Sequence, residues 1–173
     1  MEDTAVLPTP AEGVGARPAA GEPRWLNDAE FRAWIGYRRM RALLDLQLAR
    51  QLAADQGLSE PDYDVLTSLS DSPDRRIRLS EMAERMLWSK SRLSHHVTRM
   101  QQRGLVTRKE CPSDGRGAFI VLTDHGMEIL RAAAPGHVTA VREHFIDLMT
   151  EEQVRVLGEI TETVLEHLRR STA

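Results

Sequence analysis

The chain of 173 residues is poor in several things, and each shortage excludes something. It has one cysteine, Cys111, so no internal disulfide can form and the composition fits a reducing compartment. It has no apolar run of the ~18 residues that a membrane span needs. No basic stretch followed by an apolar one opens the sequence, so no secretory signal is visible, and the expected location is the cytoplasm. Aromatic residues make up only 5% of the chain. Catalytic signatures are missing as well: there is no Gly-x-Ser-x-Gly, no phosphate-cradling loop and no carboxylate pair brought together by spacing. Six histidines invite a metal reading, but His95 and His96 diverge by about 100° on a helix, and no His-x-x-x-His or Cys-x-x-Cys pairing exists. Neither an enzyme, a cofactor nor a metal site is expected.

What is present is an unequal distribution of charge. Residues 75–123 hold eleven Lys or Arg against four acids, a net +7, while the whole chain is −3, so everything outside that segment sums to −10. A basic block within an acidic chain points to one face built to meet a polyanion.

The block reads as helix, turn, helix and two strands. Ser80 is expected to cap the first helix, with Glu81 near its positive end and Met82, Ala83, Met86 and Leu87 as its apolar stripe. Trp88 is expected to fill the turn, and Ser89 to cap the second helix, which stops where Gly104 can adopt the left-handed conformation. In that second helix Leu93, Val97 and Met100 share one side. Ser91, His95, Thr98 and Gln102 then point the other way, flanked by Arg92, Ser94 and Arg99, with no acid among them. Small donors and arginines on one face suit a helix laid in a major groove. A solvated basic face on an ordinary amphipathic helix has the same pattern, and the charge of the whole block decides between them.

Leu105–Cys111 and Ala118–Leu122 read as strands joined by a loop, Pro112–Gly117. Asp114 and Arg116 lie two apart there, so the acid can brace a guanidinium that enters a narrow minor groove. The alternative is an exposed turn with an incidental ion pair.

The remaining chain frames this block. Residues 1–24, with four of the eight prolines, read as a disordered tail. Asn27 and Glu30 form the signature of a capping box opening a helix that runs to about Ala54. That helix carries two apolar lines, one through Trp34, Tyr37, Leu44, Leu48 and Leu52, the other through Phe31, Ile35, Ala42, Leu46 and Ala49. Ser59 with Asp62 repeats the box signature, and Val65, Leu66 and Leu69 face inward. Ile77 and Leu79 suggest a short strand beside the hairpin. From Thr123 a helix is expected to kink at Pro135 and resume through Val138, Val141, Phe145 and Leu148. Thr150 and Gln153 open a last helix in which Val154, Leu157, Ile160, Val164 and Leu168 repeat at spacings of three and four. Wide apolar faces at both ends call for a second copy of the chain.

Taken together, Arg99 to Arg108 (RMQQRGLVTR), the run Asp114-Gly115-Arg116-Gly117 and the run Leu122-Thr123-Asp124-His125-Gly126 resemble the MarR family of winged-helix regulators over roughly residues 25–170. Gly115 departs from the family pattern, where many members carry Arg. The resemblance implies a mainly α, winged helix-turn-helix protein: residues 25–57 an N-terminal dimerisation helix, 58–123 the DNA-binding lobe, 124–170 C-terminal dimerisation helices. It further implies a homodimer on palindromic double-stranded DNA, acting as a repressor and released by a small aromatic ligand. The DNA-contacting set is then Ser89, Lys90, Ser91, Arg92, Ser94, His95, Thr98, Arg99, Asp114 and Arg116; Trp25, Trp34, Tyr37 and Arg38 are the candidate ligand residues. The rival reading is a winged helix whose basic face docks an acidic protein. Cys111, at the base of the hairpin, is expected to be an inert thiol.

Overall fold

The computed structural model describes residues 23–111 and 114–171, with the backbone alone at Cys111 and at residues 114–116. The tail expected at residues 1–24 therefore lies almost wholly outside the described residues. Among the described residues six α-helices and three strands follow in order: α1 (Asp28–Gln56), α2 (Glu60–Ser70), β1 (Arg76–Arg78), α3 (Leu79–Arg85), α4 (Lys90–Gln102), β2 (Val106–Cys111), β3 (Asp114–Leu122), α5 (Asp124–His144) and α6 (Glu151–Ser171). The expected class, mainly α with a small winged sheet, is what is found. The chain divides into two compact units at Asp45/Leu46, with α1 running through the division.

Local signals explain most boundaries. In the first unit, Asn27 N–H donates to Glu30 Oε2 at 2.9 Å and Glu30 N–H to Asn27 Oδ1 at 2.9 Å, the reciprocal box that satisfies two orphan donors. The second unit repeats this at Ser59/Asp62 and at Thr150/Gln153. Helix α4 ends in a Schellman turn: Gly104 sits at φ +73°, its N–H reaches Gln101 O at 3.0 Å, and Leu105 N–H reaches Met100 O at 3.0 Å.

The second unit is built on one apolar core. It takes Val65, Leu66 and Leu69 from α2, Ile77 from β1, Met82 and Ala83 from α3, and Leu93, Val97 and Met100 from α4. Val106, Ile120 and Leu122 from the sheet close it, with Leu130 and Ala133 from α5. Burial of each large side chain contributes about 1.5–3 kcal/mol before entropy is counted. The sheet is antiparallel in the order β1-β3-β2, with Ile77 opposite Ile120 and Arg108 opposite Ile120 on the other side.

Thr123 and Gly126 lock α5 onto the end of α4. The Thr123 hydroxyl donates to Gly104 O at 2.6 Å and accepts from Gly126 N–H at 2.9 Å. A Cβ at Gly126 would lie 2.1 Å from Leu105 O, so no side chain fits where α5 crosses that carbonyl. The spacing Thr-x-x-Gly thus has a physical cause.

Several expectations need correction. Ser80 lies inside α3; Arg78, extended where β1 pairs with Phe119, holds the cap position instead. Leu79 likewise opens the helix and does not belong to the strand. Leu87 leaves the apolar stripe: it turns at φ +53° after the helix cap and is 92% exposed, and Trp88 N–H bonds back to Ala83 O at 2.8 Å. The hairpin loop is shorter than expected, because β3 begins at Asp114 and only residues 112 and 113 separate Cys111 from its partner Asp114. The register jumps from Glu110–Ala118 to Cys111–Asp114, so residues 115–117 form an irregularity in β3, where glycines at 115 and 117 suit the backbone. Helix α5 is one helix with Pro135 inside it, and it ends at His144, short of the expected run through Phe145 and Leu148, where a short 3-10 turn follows. Just after the proline, Gly136 passes so close to α1 that a Cβ would meet Asp55 Oδ2 at 2.7 Å and Gln51 Nε2 at 2.8 Å.

Candidate nucleic-acid interface

Helix α4 places its two faces as different solvents require. Leu93, Val97 and Met100 are fully buried, while Lys90, Ser91, Arg92, His95, Thr98 and Arg99 are exposed and Ser94 is half-buried. No acid occurs along the helix KSRLSHHVTRMQQ. Ser89 holds its start, accepting from Arg92 N–H at 3.2 Å, so this hydroxyl is already engaged.

The arginines are held, each by a different neighbour. Arg92 lies over the Trp88 ring at 3.8 Å, a cation–π arrangement that keeps the charge exposed and the stem fixed. Arg99 Nη2 donates to His96 Nδ1 at 3.1 Å. Arg103 donates to Asp62 Oδ2 at 2.7 Å and to Gly57 O at 2.8 Å, tying the end of α4 to the start of α2. Arg108 reaches up from β2 to Ser94 O at 2.6 Å, Ser94 Oγ at 3.2 Å and Thr98 Oγ1 at 3.1 Å, and thereby ties the sheet to the helix. A cleft of about 430 Å³ lies beside it, lined by Arg78, Lys90, Ser94 and Arg108 among others, so three cations border one recess.

Asp62 is the buried charge on which this support converges. It accepts from Ser59 N–H at 3.0 Å, from Arg103, and has His96 Nε2 at 3.1 Å from Oδ1. Burial alone would raise its pKa, but His96, the Ser59 backbone, Arg103 and the Ser59 hydroxyl prevail and hold it well below the usual carboxylate range. The Asp62–His96 contact is an electrostatic one: His96 Nε2 lies within reach of the carboxylate but off the line of a straight hydrogen bond.

The structure gathers Ser89, Lys90, Ser91, Arg92, Ser94, His95, Thr98 and Arg99 onto one helix and its cap. The Ser94 and Thr98 hydroxyls accept from Arg108, which leaves the Ser94 proton to donate, while Thr98 Oγ1 already donates to Ser94 O at 3.0 Å and would have to exchange that bond. The side chains of Asp114, Arg116 and Cys111 lie outside the described residues; their backbone belongs to the paired strands β2 and β3. Of the candidate ligand residues, Trp34 and Tyr37 stack at 6.2 Å, and Arg38 lies 5.9 Å above Trp34. Trp25 precedes the helix and is 71% exposed. Among the described residues no group of three His, Cys, Asp or Glu is placed to hold a metal ion, and no helix is long and apolar enough to cross a membrane.

Sequence reasoning missed Arg108, His96 and the second role of Asp62. For His96 a signal existed: it sits three residues from Leu93 and four from Met100, at the edge of the buried stripe. For Arg108 there was one too, since in the observed register it alternates with outward Thr107 and Lys109 and shares the core side with Val106.

Comparison with known proteins agrees with this geometry. A family model described as MarR family matches residues 56–117. The transcriptional regulator HosA of Escherichia coli O111:H- is 32% identical over 117 residues, covering 68% of this chain and 85% of HosA. The crystal structure of AbsC, a MarR family transcriptional regulator from Streptomyces coelicolor, superposes with a TM-score of 0.80 at 45% identity, over 85% of this chain and 99% of AbsC. Sco3205, a MarR family transcriptional regulator from the same organism solved in complex with DNA, gives 0.81 at 46% identity, over 84% of this chain and 92% of Sco3205.

Proposed function

This chain belongs to the MarR family of transcriptional regulators, and we propose that it acts in the cytoplasm as a homodimer binding palindromic double-stranded DNA to repress transcription. The observation that carries this reading is helix α4, whose apolar side is sealed in the core while its exposed side offers cations and small donors with no acid. Such a face meets phosphates through Lys90, Arg92 and Arg99 and base edges through Ser91, His95 and Thr98. Arg116 of the wing takes the flanking minor groove or backbone, with Asp114 bracing it. In the dimer two copies of α4 enter successive major grooves, about one helical turn apart. The apolar seam of α6, exposed in the single chain, supports pairing with a second copy. The stacked Trp34–Tyr37 pair under Arg38 supports a site for a small aromatic acid, which would release DNA by favouring one spacing of the two α4 helices.

The test is fluorescence anisotropy with DNA from the region upstream of the protein's own gene against scrambled DNA, across a salt series. The expected result is preferential binding to the first, with a log–log salt slope of about −0.9 per phosphate contact. Equal and weak binding to both DNAs would overturn the reading and leave the basic face to an acidic protein partner.

A further inference from the structure

Resting on the reading of α4 as the DNA-contacting helix, we propose that His96 is a positioning residue: a neutral imidazole that aims Arg99 at DNA without cancelling its charge. His96 is only 5% exposed, yet its neighbour Arg99 is an exposed residue of the DNA-contacting face proposed above. A guanidinium has five donors and no acceptor. The contact of Arg99 Nη2 with His96 Nδ1 at 3.1 Å therefore requires a lone pair on Nδ1, which puts the ring proton on Nε2. That nitrogen faces Asp62 Oδ1 at 3.1 Å, where a proton meets a carboxylate and not a cation.

The ring is fixed on its other sides. Trp88 meets it edge to face, with centroids 5.4 Å apart and planes at 87°, and Arg92 lies on that same indole. Asp62 is fixed in turn by the α2 cap and by Arg103. A connected row thus runs from the start of α2 through Asp62 and His96 to Arg99. The charged groups around His96 are Asp62 from α2 and Arg99 from α4, with Arg103, the residue that caps α4, on the other oxygen of Asp62 and Arg92 behind Trp88.

The chemistry explains why a histidine suits this place. A carboxylate beside Arg99 would orient it more strongly but compete with phosphate for the same cation. A hydrocarbon would leave it free, and its ordering would weigh against binding. A neutral acceptor orients and leaves the full charge for DNA. Protonation at Nδ1 turns that acceptor into a donor, ends the bond and sets a like charge beside the guanidinium.

A double-mutant cycle on the full chain, read by anisotropy with the upstream DNA, tests the assignment. His96→Leu is expected to weaken specific binding on the order of fivefold, the size of one hydrogen bond. In an Arg99→Ala background the same change is expected to have no further effect, because its target is gone. His96→Gln, which offers one acceptor and one donor, is expected to restore most of the loss. Should His96→Leu fold poorly in thermal melts, His96→Gln and Arg99→Ala decide instead: His96→Gln should bind nearly as wild type in the Arg99 background, and adding it to Arg99→Ala should change nothing. An undiminished His96→Leu or His96→Gln loss in the Arg99→Ala background would overturn the assignment and leave His96 as core packing. Absence of specific binding by the wild type would instead overturn the DNA reading itself, so the two failures are distinguishable.

Discussion

Helices α4 and α6 are both amphipathic, yet they stand in opposite circumstances. In α4 the apolar residues Leu93, Val97 and Met100 are fully buried by the chain's own core. In α6 Ile160, Val164 and Leu168 are 55%, 51% and 52% exposed, although their spacing is as regular. The same pattern of residues therefore has two outcomes. Periodicity states that a face needs covering; it does not state which molecule covers it. The exposed polar sides differ too: α4 has no acid, whereas α6 carries Glu152, Glu159 and Glu166, each paired with an arginine three or four residues away.

The sharpest way to break the comparison is to delete apolar bulk from each helix in turn. Leu93→Ala is expected to cost about 4 kcal/mol, since a filled core cannot close over the gap, and urea unfolding at any protein concentration would show it. Ile160→Glu combined with Val164→Glu should leave the lobe's packing intact but abolish association. Sedimentation would then report a monomer, and the melting temperature would lose its dependence on protein concentration. A concentration-independent melt in the wild type would remove the proposed second copy.

The ties beneath α4 give effects of intermediate size. Asp62→Asn is expected to cost about 2 kcal/mol at neutral pH, by weakening hydrogen bonds from charged groups to a buried acceptor. The pH dependence has a definite sign. A carboxyl whose folded pKa is depressed contributes stability that is full above its unfolded value, about 3.9, and is lost as pH falls through the folded pKa. Acid unfolding below about pH 4 should therefore be steeper in the wild type than in Asp62→Asn. His137 acts in a neighbouring window: burial lowers its pKa, and Asp64 opposes this, so the unfolded chain binds its proton first. Stability should fall as pH drops below about 6.5, and thermal melts of His137→Phe should show a flatter profile there.

The smallest effects distinguish the ends of α3 and α4. Both end in the same turn, but one places Leu87 and the other Gly104 at positive φ. Leu87→Gly should stabilise by about 1 kcal/mol, because an exposed side chain gains little where the backbone is strained. Gly104→Ala should destabilise by a similar amount, readable in the same denaturant series.

Much of this molecule was legible before any coordinates. The boxes at Asn27, Ser59 and Thr150 were readable because a cap joins residues only three apart. The buried side of α4 was readable because a helix repeats, and Gly104 because a helix must end. The boundary errors differ in origin: at Ser80 the cap moved to Arg78, held by pairing with distant Phe119, whereas at Leu87 and Asp114 a helix-ending turn and a short hairpin reversal, both local, won over the expected pattern.

The sequence by itself determined the starts of α1, α2, α4 and α6, the end of α4, which faces are apolar and where positive charge collects, because these depend on neighbours a few residues away. The tertiary structure alone decided that Asp62 would meet His96 and Arg103, residues 34 and 41 positions further along, and that Arg108 would reach Ser94 across 14. It also decided that α4, and not α6, would be sealed by its own chain. No periodicity encodes those outcomes; they arise when closing a single core forces separate segments into contact and every buried charge must find a partner.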